Sequence, residues 1–352
     1  MLKDHIYKIT TWPVPLRPQD VRTGFFLVTA MALIPFDKPY KTTEELIALL
    51  ESRGMSIADR KSAALYLKRI GYYRLSGYWH PFRVTTLGAK SGKRIAADTF
   101  KPGTEFRHAV NLYIFDKYLR LLFLDAIESI EVSLRVEIVQ LLGPRNPVAH
   151  LDPAELHGNF ANKISRWTHK TEHADWKEQL IKVIERSKED FVQHFKDRYN
   201  TDLPIWIAIE LWEFGMLSKF LNGMQVSDQD AIMQIYKVPR RELLLSWIRG
   251  INYVRNLCAH HCRLWNRSLV DQPKPPRPGE SETLNHLAQD SFSQGRLYSV
   301  AAPIQFLLKA IDPASKWKEL LKSHFATFPS APGIAQRDTG FPDGWENMSL
   351  WK

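Results

Sequence analysis

Residues 104–142 read TEFRHAVNLYIFDKYLRLLFLDAIESIEVSLRVEIVQLL and carry the longest helical pattern in the chain. Apolar side chains recur along this stretch at intervals of three and four, which is the spacing of one face of an α-helix. Gly143 and Pro144 follow and end the pattern, because proline cannot continue a helix. The stretch therefore predicts one long helix or two consecutive ones. The periodic apolar residues are Val110, Leu112, Ile114, Phe115, Leu119, Leu122, Phe123, Ala126, Ile127, Ile130, Leu134 and Ile138.

Helical spacing also extends over most of the remaining chain. Thr42 and Thr43 followed by Glu44 and Glu45 form a typical helix start. No convincing series of strands interrupts the pattern, so we predict an all-α bundle. Residues 84–103 and 271–280 read as loops, and the tail after Pro329 reads as surface-bound or mobile. The further helices are predicted over about 58–70 (ended by Gly71), 175–195, 205–221, 240 to the motif described below, 283–310 and 313–325.

The charge balance favours an acidic partner. Lys and Arg number 48 against 38 Asp and Glu, which gives a formal net charge of +10. This excess favours RNA or DNA over an anionic membrane as a partner. It is equally compatible with a basic soluble protein that binds no polyanion.

The cysteines and the N-terminal residues bear on the cellular compartment. Cys258 and Cys262 are the only cysteines, so no disulfide framework is indicated and we expect a reducing cytoplasm. Residues 24–34 are apolar but too short to span a bilayer, and the residues before them do not resemble a signal peptide. We therefore expect no membrane association, and we interpret residues 1–35 as an N-terminal extension or arm, with Met31 as an alternative start.

Residues 255–260, Arg-Asn-Leu-Cys-Ala-His, combine side chains suited to RNA cleavage without a metal. Arg255 is a permanent cation that can fork onto phosphate oxygens, and His260 can exchange a proton near neutral pH. On a helix these two side chains point about 140° apart. Asn252, Asn256 and His260 instead follow one another at intervals of four and form a polar ridge, towards which Arg255 can swing. We assign Arg255, Asn256 and His260 as candidate catalytic residues and Asn252 as a supporting one.

The reaction that these side chains suit is RNA transesterification. One histidine takes the proton of a ribose 2′-hydroxyl, which attacks the adjacent phosphorus, while Arg255 and Asn256 stabilise the developing charge. The expected product is a 2′,3′-cyclic phosphate. Two copies related by a two-fold axis would supply a second histidine to protonate the leaving oxygen, so we expect a homodimer. The same spacing also fits a helix with a buried, hydrogen-bonded ridge of Asn and His and no activity.

A zinc site is the alternative chemistry for the same segment. Cys258 and Cys262 lie at helical spacing beside His260 and His261. A second pair of cysteines is lacking, and the two adjacent histidines point apart on a helix. We therefore expect no metal and no cofactor, and we interpret the cysteines as small core residues.

Four further residues are candidates for supporting roles. Arg74 lies in an aromatic and basic cluster that either contacts RNA by stacking or packs in the core. Glu131 either orients Arg255 or His260 from a neighbouring helix or forms only a local ion pair with Arg135. Arg263 and Arg267 either grip flanking phosphates or are merely solvated.

The segment that contains the motif closely resembles the signature of the Abi-like family of bacterial abortive-infection proteins (the AbiD and AbiF type). Three other segments of the chain resemble the family in the same order, and the resemblance covers about residues 36 to 310. The four segments are residues 254–267 (VRNLCAHHCRLWNR), 66–79 (YLKRIGYYRLSGYW), 115–120 with 127–135 (FDKYLR and IESIEVSLR) and 203–210 with 214–219 (LPIWIAIE and FGMLSK).

This resemblance implies a function as well as a fold. The family is grouped with the HEPN superfamily of α-helical ribonucleases, whose motif places Arg, a polar residue and His as Arg255, Asn256 and His260 stand here. It implies a dimeric, metal-independent endoribonuclease in phage defence that acts on host or phage RNA. The alternative function is a non-catalytic RNA-binding defence protein that holds a small structured RNA.

The resemblance also suggests how the chain is divided. After the N-terminal extension, we expect an N-terminal helical region over residues 36–100. A HEPN-like helical domain is expected over residues 101–326, and a tail over residues 327–352. The motif and the other candidate residues fall within residues 101–326, except for Arg74, which falls within residues 36–100.

Overall fold

The computed structural model describes residues 39–87 and 94–352. The arm expected over residues 1–35 lies outside this part of the chain. Contacts divide the chain into Met1–Lys41 and Thr42–Lys352, and the fold described below is that of the second unit. Within the described residues, no helix combines the length and the apolarity that crossing a membrane requires.

The second unit begins with three helices and a β-hairpin. They are α1 (Thr43–Ser52), α2 (Arg60–Ile70), α3 (Tyr72–Trp79), β1 (Arg83–Leu87) and β2 (Arg94–Phe100). The predicted helix start at residue 42 is confirmed by a capping box. The backbone N–H of Glu45 donates to Thr42 Oγ1 at 3.3 Å, and Glu45 Oε2 accepts from the Thr42 N–H at 2.6 Å. Gly71 ends α2 as predicted, with a φ of 89° that favours glycine.

Twelve more helices of the described residues complete the unit, which confirms the all-α class. The described residues are mainly helical and contain a single two-stranded sheet. The helices are α4 (Phe106–Leu142), α5 (Gly158–Ala161), α6 (Glu172–Arg186), α7 (Asp190–Arg198), α8 (Ile205–Ala208), α9 (Phe214–Gly223), α10 (Val226–Ile235), α11 (Arg241–Ala259), α12 (Asn285–Gln289), α13 (Ser291–Gln294), α14 (Tyr298–Ile311) and α15 (Trp317–Ala326).

The long periodic stretch forms one uninterrupted helix, α4, of 37 residues. It packs against α3, α11, α14 and α15. Its first turns, including Phe106 and Leu112, contribute to a smaller core with α1 to α3. From Phe115 onward it contributes to the larger core with α9, α11 and α14. Trp265, which follows α11 in sequence, is fully buried in the smaller core, so the chain beyond α11 joins the two.

Two predicted helices are each divided in the structure. The helix expected over 175–195 is α6 followed by α7, because Ser187 leaves helical geometry with a ψ of 134°. Its hydroxyl accepts a hydrogen bond from the backbone N–H of Glu189.

The helix expected over 205–221 is α8, a short 3₁₀ turn and α9. The break lies at Trp212, whose carbonyl oxygen accepts a hydrogen bond from Arg135 Nη2 at 2.9 Å. A contact from a distant helix thus replaces the local helical bond.

The loop predicted over residues 84–103 is wrong in part, because it contains the hairpin. β1 and β2 are antiparallel, with Thr85 opposite Ala96 and Thr86 opposite Ile95. The β-branched residues of β1 favour a strand, but a strand this short gives no clear periodic signal. The helix predicted over 283–310 is also divided, into α12, α13 and α14.

The prediction of a surface-bound or mobile tail is wrong. Phe341, Trp345, Leu350 and Trp351 are each at most 1% exposed and belong to the larger core. The indole N–H of Trp351 donates to the hydroxyl of Tyr298 in α14 at 3.1 Å. The tail packs through aromatic side chains on irregular turns and not through a periodic helix. Its sequence, which contains glycines and prolines, therefore gave no periodic pattern from which burial could be predicted.

Candidate active site

The Arg-Asn-x3-His motif lies across the C-terminal end of α11. Arg255 and Asn256 are half-buried in its last turns, and His260 follows the last helical residue and is exposed. The backbone N–H of His260 donates to the carbonyl of Asn256 at 3.0 Å, so helical hydrogen bonding extends to the histidine. The backbone of His260 is therefore held at a defined place on the surface.

The chain turns sharply directly after His260. His261 has a φ of 57°, in the left-handed region that non-glycine residues rarely adopt. Its N–H donates to Cys258 O at 3.0 Å, and the N–H of Cys262 donates to Leu257 O at 2.8 Å. This pair of bonds is the Schellman motif that ends many helices, usually with glycine at the left-handed position. It fixes the direction in which the chain leaves the motif.

The polar ridge is formed by residues from successive turns of α11. Arg255 Nη1 donates to Asn256 Oδ1 at 3.3 Å, so the arginine does swing towards the ridge. Asn252 lies one turn earlier, and its Oδ1 is shielded from solvent without a hydrogen-bond partner among the described residues. Gly215 of α9 lies beside the Asn252 carboxamide: a Cβ atom added to this glycine would be 3.8 Å from it. Helix α9 therefore packs closely against α11 at Asn252. Arg255 and Asn256 are thus paired, whereas no hydrogen bond among the described residues joins the Asn252 side chain to either of them.

The interaction of Glu131 with the motif is electrostatic. Its carboxylate accepts a hydrogen bond from Arg135 Nη2 at 2.6 Å, which is the local ion pair weighed above. No hydrogen bond joins it to Arg255 or His260 within the described residues. Burial raises the pKa of Glu131, and the charges of Arg135 and then Arg255 oppose this shift. The carboxylate is therefore close enough to influence Arg255 without binding it.

A buried carboxylate, Asp116 of α4, holds the segment that follows the motif. Its side chain is fully buried. Asp116 Oδ1 accepts from the backbone N–H of Trp265 at 2.7 Å, and its oxygens accept from that of Leu264 at 3.2 Å. These bonds satisfy two buried backbone donors that would otherwise lack partners. The turn after His260 is thereby attached to the longest helix of the fold.

Arg120 and Tyr78 complete this buried network. Arg120 Nη1 lies 2.6 Å from Asp116 Oδ2, and it also donates to the carbonyl of Cys262 at 3.3 Å. The hydroxyl of Tyr78, on α3, donates to Asp116 Oδ2 at 2.7 Å. Burial and then the Asp116 charge raise the pKa of Tyr78 above its usual range, so the hydroxyl keeps its proton and remains a donor. One charged pair thus connects α3, α4 and the chain beyond His260.

Two of the predicted RNA-binding arginines also contact the turn. Arg74 is exposed on α3, and its Nη1 donates to the carbonyl of His261 at 2.8 Å. Arg263 is half-buried, and its guanidinium binds the carbonyls of Gly77 and Asn266. Burial lowers the pKa of Arg263. Arg263 therefore braces the turn against α3, a role that was not among those considered from sequence.

Arg267, the third predicted RNA-binding residue, has a different environment. It is half-buried, and no hydrogen bond or ion pair engages its guanidinium within the described residues. Its donors remain open to an external anion.

The cysteines do not form a metal site in this arrangement. Cys258 is buried, and burial raises the pKa of its thiol to about 12. Among the described residues, no group of three His, Cys, Asp or Glu side chains is placed to hold a metal ion.

Comparison with known proteins identifies the family. The model of the Abi-like protein family matches residues 65–266, which is more than half of the chain. The chain belongs to this family, which associates it with abortive-infection defence against phage. The matched range includes α3, α4 and α11 and ends within the segment after His260 whose backbone binds Asp116. Searches of curated proteins and of solved structures gave no match.

The roles of Tyr78, Asp116 and Arg120 were not predicted from the sequence. The only signal available was the spacing of Asp116 and Arg120, four residues apart on a helix face that is otherwise apolar. That spacing indicates an ion pair. It does not reveal that the pair lies in the core and binds backbone groups more than 140 residues further along the chain.

Proposed function

We propose that this protein is a metal-independent endoribonuclease of the HEPN type that acts in abortive-infection phage defence. The observation that carries the proposal is the exposed His260, held at the end of α11 one turn beyond the paired Arg255 and Asn256 side chains. Family membership supports the role in phage defence. The formal charge of +10 supports RNA as the partner, and we place the reaction in the cytoplasm, where RNA is available.

The proposed reaction uses only side chains of the motif. His260 removes the proton from a ribose 2′-hydroxyl, and the resulting oxygen attacks the adjacent phosphorus. Arg255 and Asn256 donate hydrogen bonds to the phosphoryl oxygens as their negative charge increases. The bond to the 5′-oxygen breaks, and that oxygen takes a proton from a second imidazole. The products are a 2′,3′-cyclic phosphate and a 5′-hydroxyl.

The second imidazole is proposed to come from a second copy of the chain. A homodimer with both motifs in one cleft would provide two copies each of His260, Arg255 and Asn256. The outer face of α4 supports this arrangement, because Val132 and Val136 are each about half exposed there. Val132 directly follows Glu131 in sequence, and the charge of Arg255 acts on the Glu131 carboxylate. Exposed apolar side chains on this face of α4 are a suitable contact surface for a second copy.

The purified protein is expected to cleave RNA at the same rate with and without EDTA. A matched substrate with 2′-deoxyribose at the cleaved nucleotide should remain intact, because the reaction requires the 2′-oxygen as nucleophile. Gel electrophoresis of end-labelled oligonucleotides measures both effects. Activity lost in EDTA would indicate a metal enzyme, and cleavage of the deoxy substrate would exclude the proposed nucleophile.

The alternative function is RNA binding without cleavage, and the net positive charge favours it as well. In that case a small structured RNA is held by basic side chains, of which Arg267 has free donors. Substitution of Arg267 would then abolish phage defence, and substitution of His260 would not.

A further inference from the structure

An open pocket of about 360 Å³ lies beside the motif, between α3 and the turn that follows α11. Its walls are Arg74, Gly77 and Tyr78 of α3 and residues 260–263. His260 is therefore both a residue of the motif and a lining residue of this pocket. Any group bound here lies next to the imidazole that we propose as the general base.

The pocket is positively charged. Arg74 is exposed, and one of its five N–H donors binds the carbonyl of His261. No other described residue engages its remaining donors. No Asp or Glu lines the pocket, and the nearby Asp116 is fully buried and paired with Arg120. A cation with free donors at the surface, without a neutralising carboxylate, favours an anionic ligand.

A neighbouring titratable group reflects the same positive potential. His80 follows α3 and is exposed. Burial of part of the ring lowers its pKa, and the charges of Arg83 and Arg263 lower it further. Arg263, which lines the pocket, thus contributes positive charge near His80 as well.

We propose that this pocket binds an RNA backbone phosphate that flanks the scissile linkage, with Arg74 as its principal ligand. The position of the scissile linkage at His260 rests on the proposed function. A phosphate fits better than a base because the available groups are a guanidinium and exposed histidines, and because Arg263 and Tyr78 are already occupied by protein partners. The strand would therefore pass from the motif across α3.

Binding of a short 2′-O-methyl RNA, measured by fluorescence anisotropy at several salt concentrations, tests this proposal. Arg74→Ala is expected to weaken binding about tenfold and to reduce the slope of log affinity against log salt by about one. Arg74→Lys retains the charge and should keep most of the slope. The matched control is Arg166→Ala. It removes an exposed arginine that has no partner among the described residues and does not line the pocket. Equal affinities and slopes for Arg74→Ala and Arg166→Ala would overturn the proposal.

The probe separates this proposal from the proposed function. It lacks free 2′-hydroxyl groups, so its binding does not depend on cleavage. Weaker binding by Arg74→Ala would support the pocket even if wild-type protein cleaved no RNA. Conversely, if wild type cleaves RNA and Arg74→Ala binds the probe as wild type does, the proposed ribonuclease function is supported and the proposed phosphate site is wrong. Thermal unfolding of the variants confirms that the fold is retained, as expected for an exposed side chain.

Discussion

Replacing His260 by alanine is expected to abolish RNA cleavage and to leave both the fold and RNA binding intact. The imidazole is exposed at the end of α11 and makes no packing contribution to either core. Loss of a general acid–base group typically lowers the rate by about 10²–10⁴-fold. In a homodimer the substitution removes both imidazoles at once, so the loss should lie at the upper end of this range. Initial rates on a labelled RNA measure the effect.

His194→Ala is the matched control, because it removes an exposed histidine on α7, far from the motif in sequence. It should cleave RNA at the wild-type rate, and both variants should have the wild-type melting temperature. If His260→Ala still cleaves RNA and still protects cells from phage, His260 is not catalytic. Protection without any cleavage, by either protein, would favour the binding-only alternative.

Replacing Asp116 by alanine is expected to cause the largest loss of stability. The change leaves the Arg120 guanidinium buried without a counter-charge and deprives the N–H groups of Leu264 and Trp265 of their acceptor. Breaking a buried ion pair in this way typically costs about 3–5 kcal/mol. Because Asp116 attaches the segment after His260 to α4, cleavage should fall as well. Chemical unfolding measured by circular dichroism gives the free-energy difference.

Two milder variants test the same network if Asp116→Ala does not fold. Asp116→Asn keeps the shape and one acceptor oxygen but loses the charge, and its stability should be intermediate. Tyr78→Phe removes one hydroxyl from the network, which typically costs about 1 kcal/mol. Stabilities within error of wild type for all three variants would show that the network does not hold the turn.

The sequence predicted the elements that have regular periodicity. The spacing of apolar residues predicted helix over the range of α4, although it did not decide between one helix and two. The Thr42–Glu45 cap and Gly71 defined ends of α1 and α2. The C-terminal end of α11 was harder to predict. Its left-handed position is occupied by His261 and not by glycine, so the usual sequence signal for a helix end is missing.

Features that depend on distant contacts could not be predicted from sequence. The interruption of the helix at Trp212 depends on a hydrogen bond from Arg135, and the attachment of the Leu264 backbone to α4 depends on Asp116. The buried tail depends on aromatic packing, for which Trp351 gives no periodic pattern. For the candidate site, the sequence identified Arg255, Asn256 and His260 as a group, and the structure adds how α3 and α4 hold the chain beyond them.

The most direct test of the central claim is to map RNA ends in phage-infected cells that express either wild type or His260→Ala. We expect new 2′,3′-cyclic phosphate ends, paired with 5′-hydroxyl ends, in cells with wild-type protein and not in cells with the variant. Ends that appear equally with both proteins, or that carry a 3′-hydroxyl and a 5′-phosphate, would contradict it.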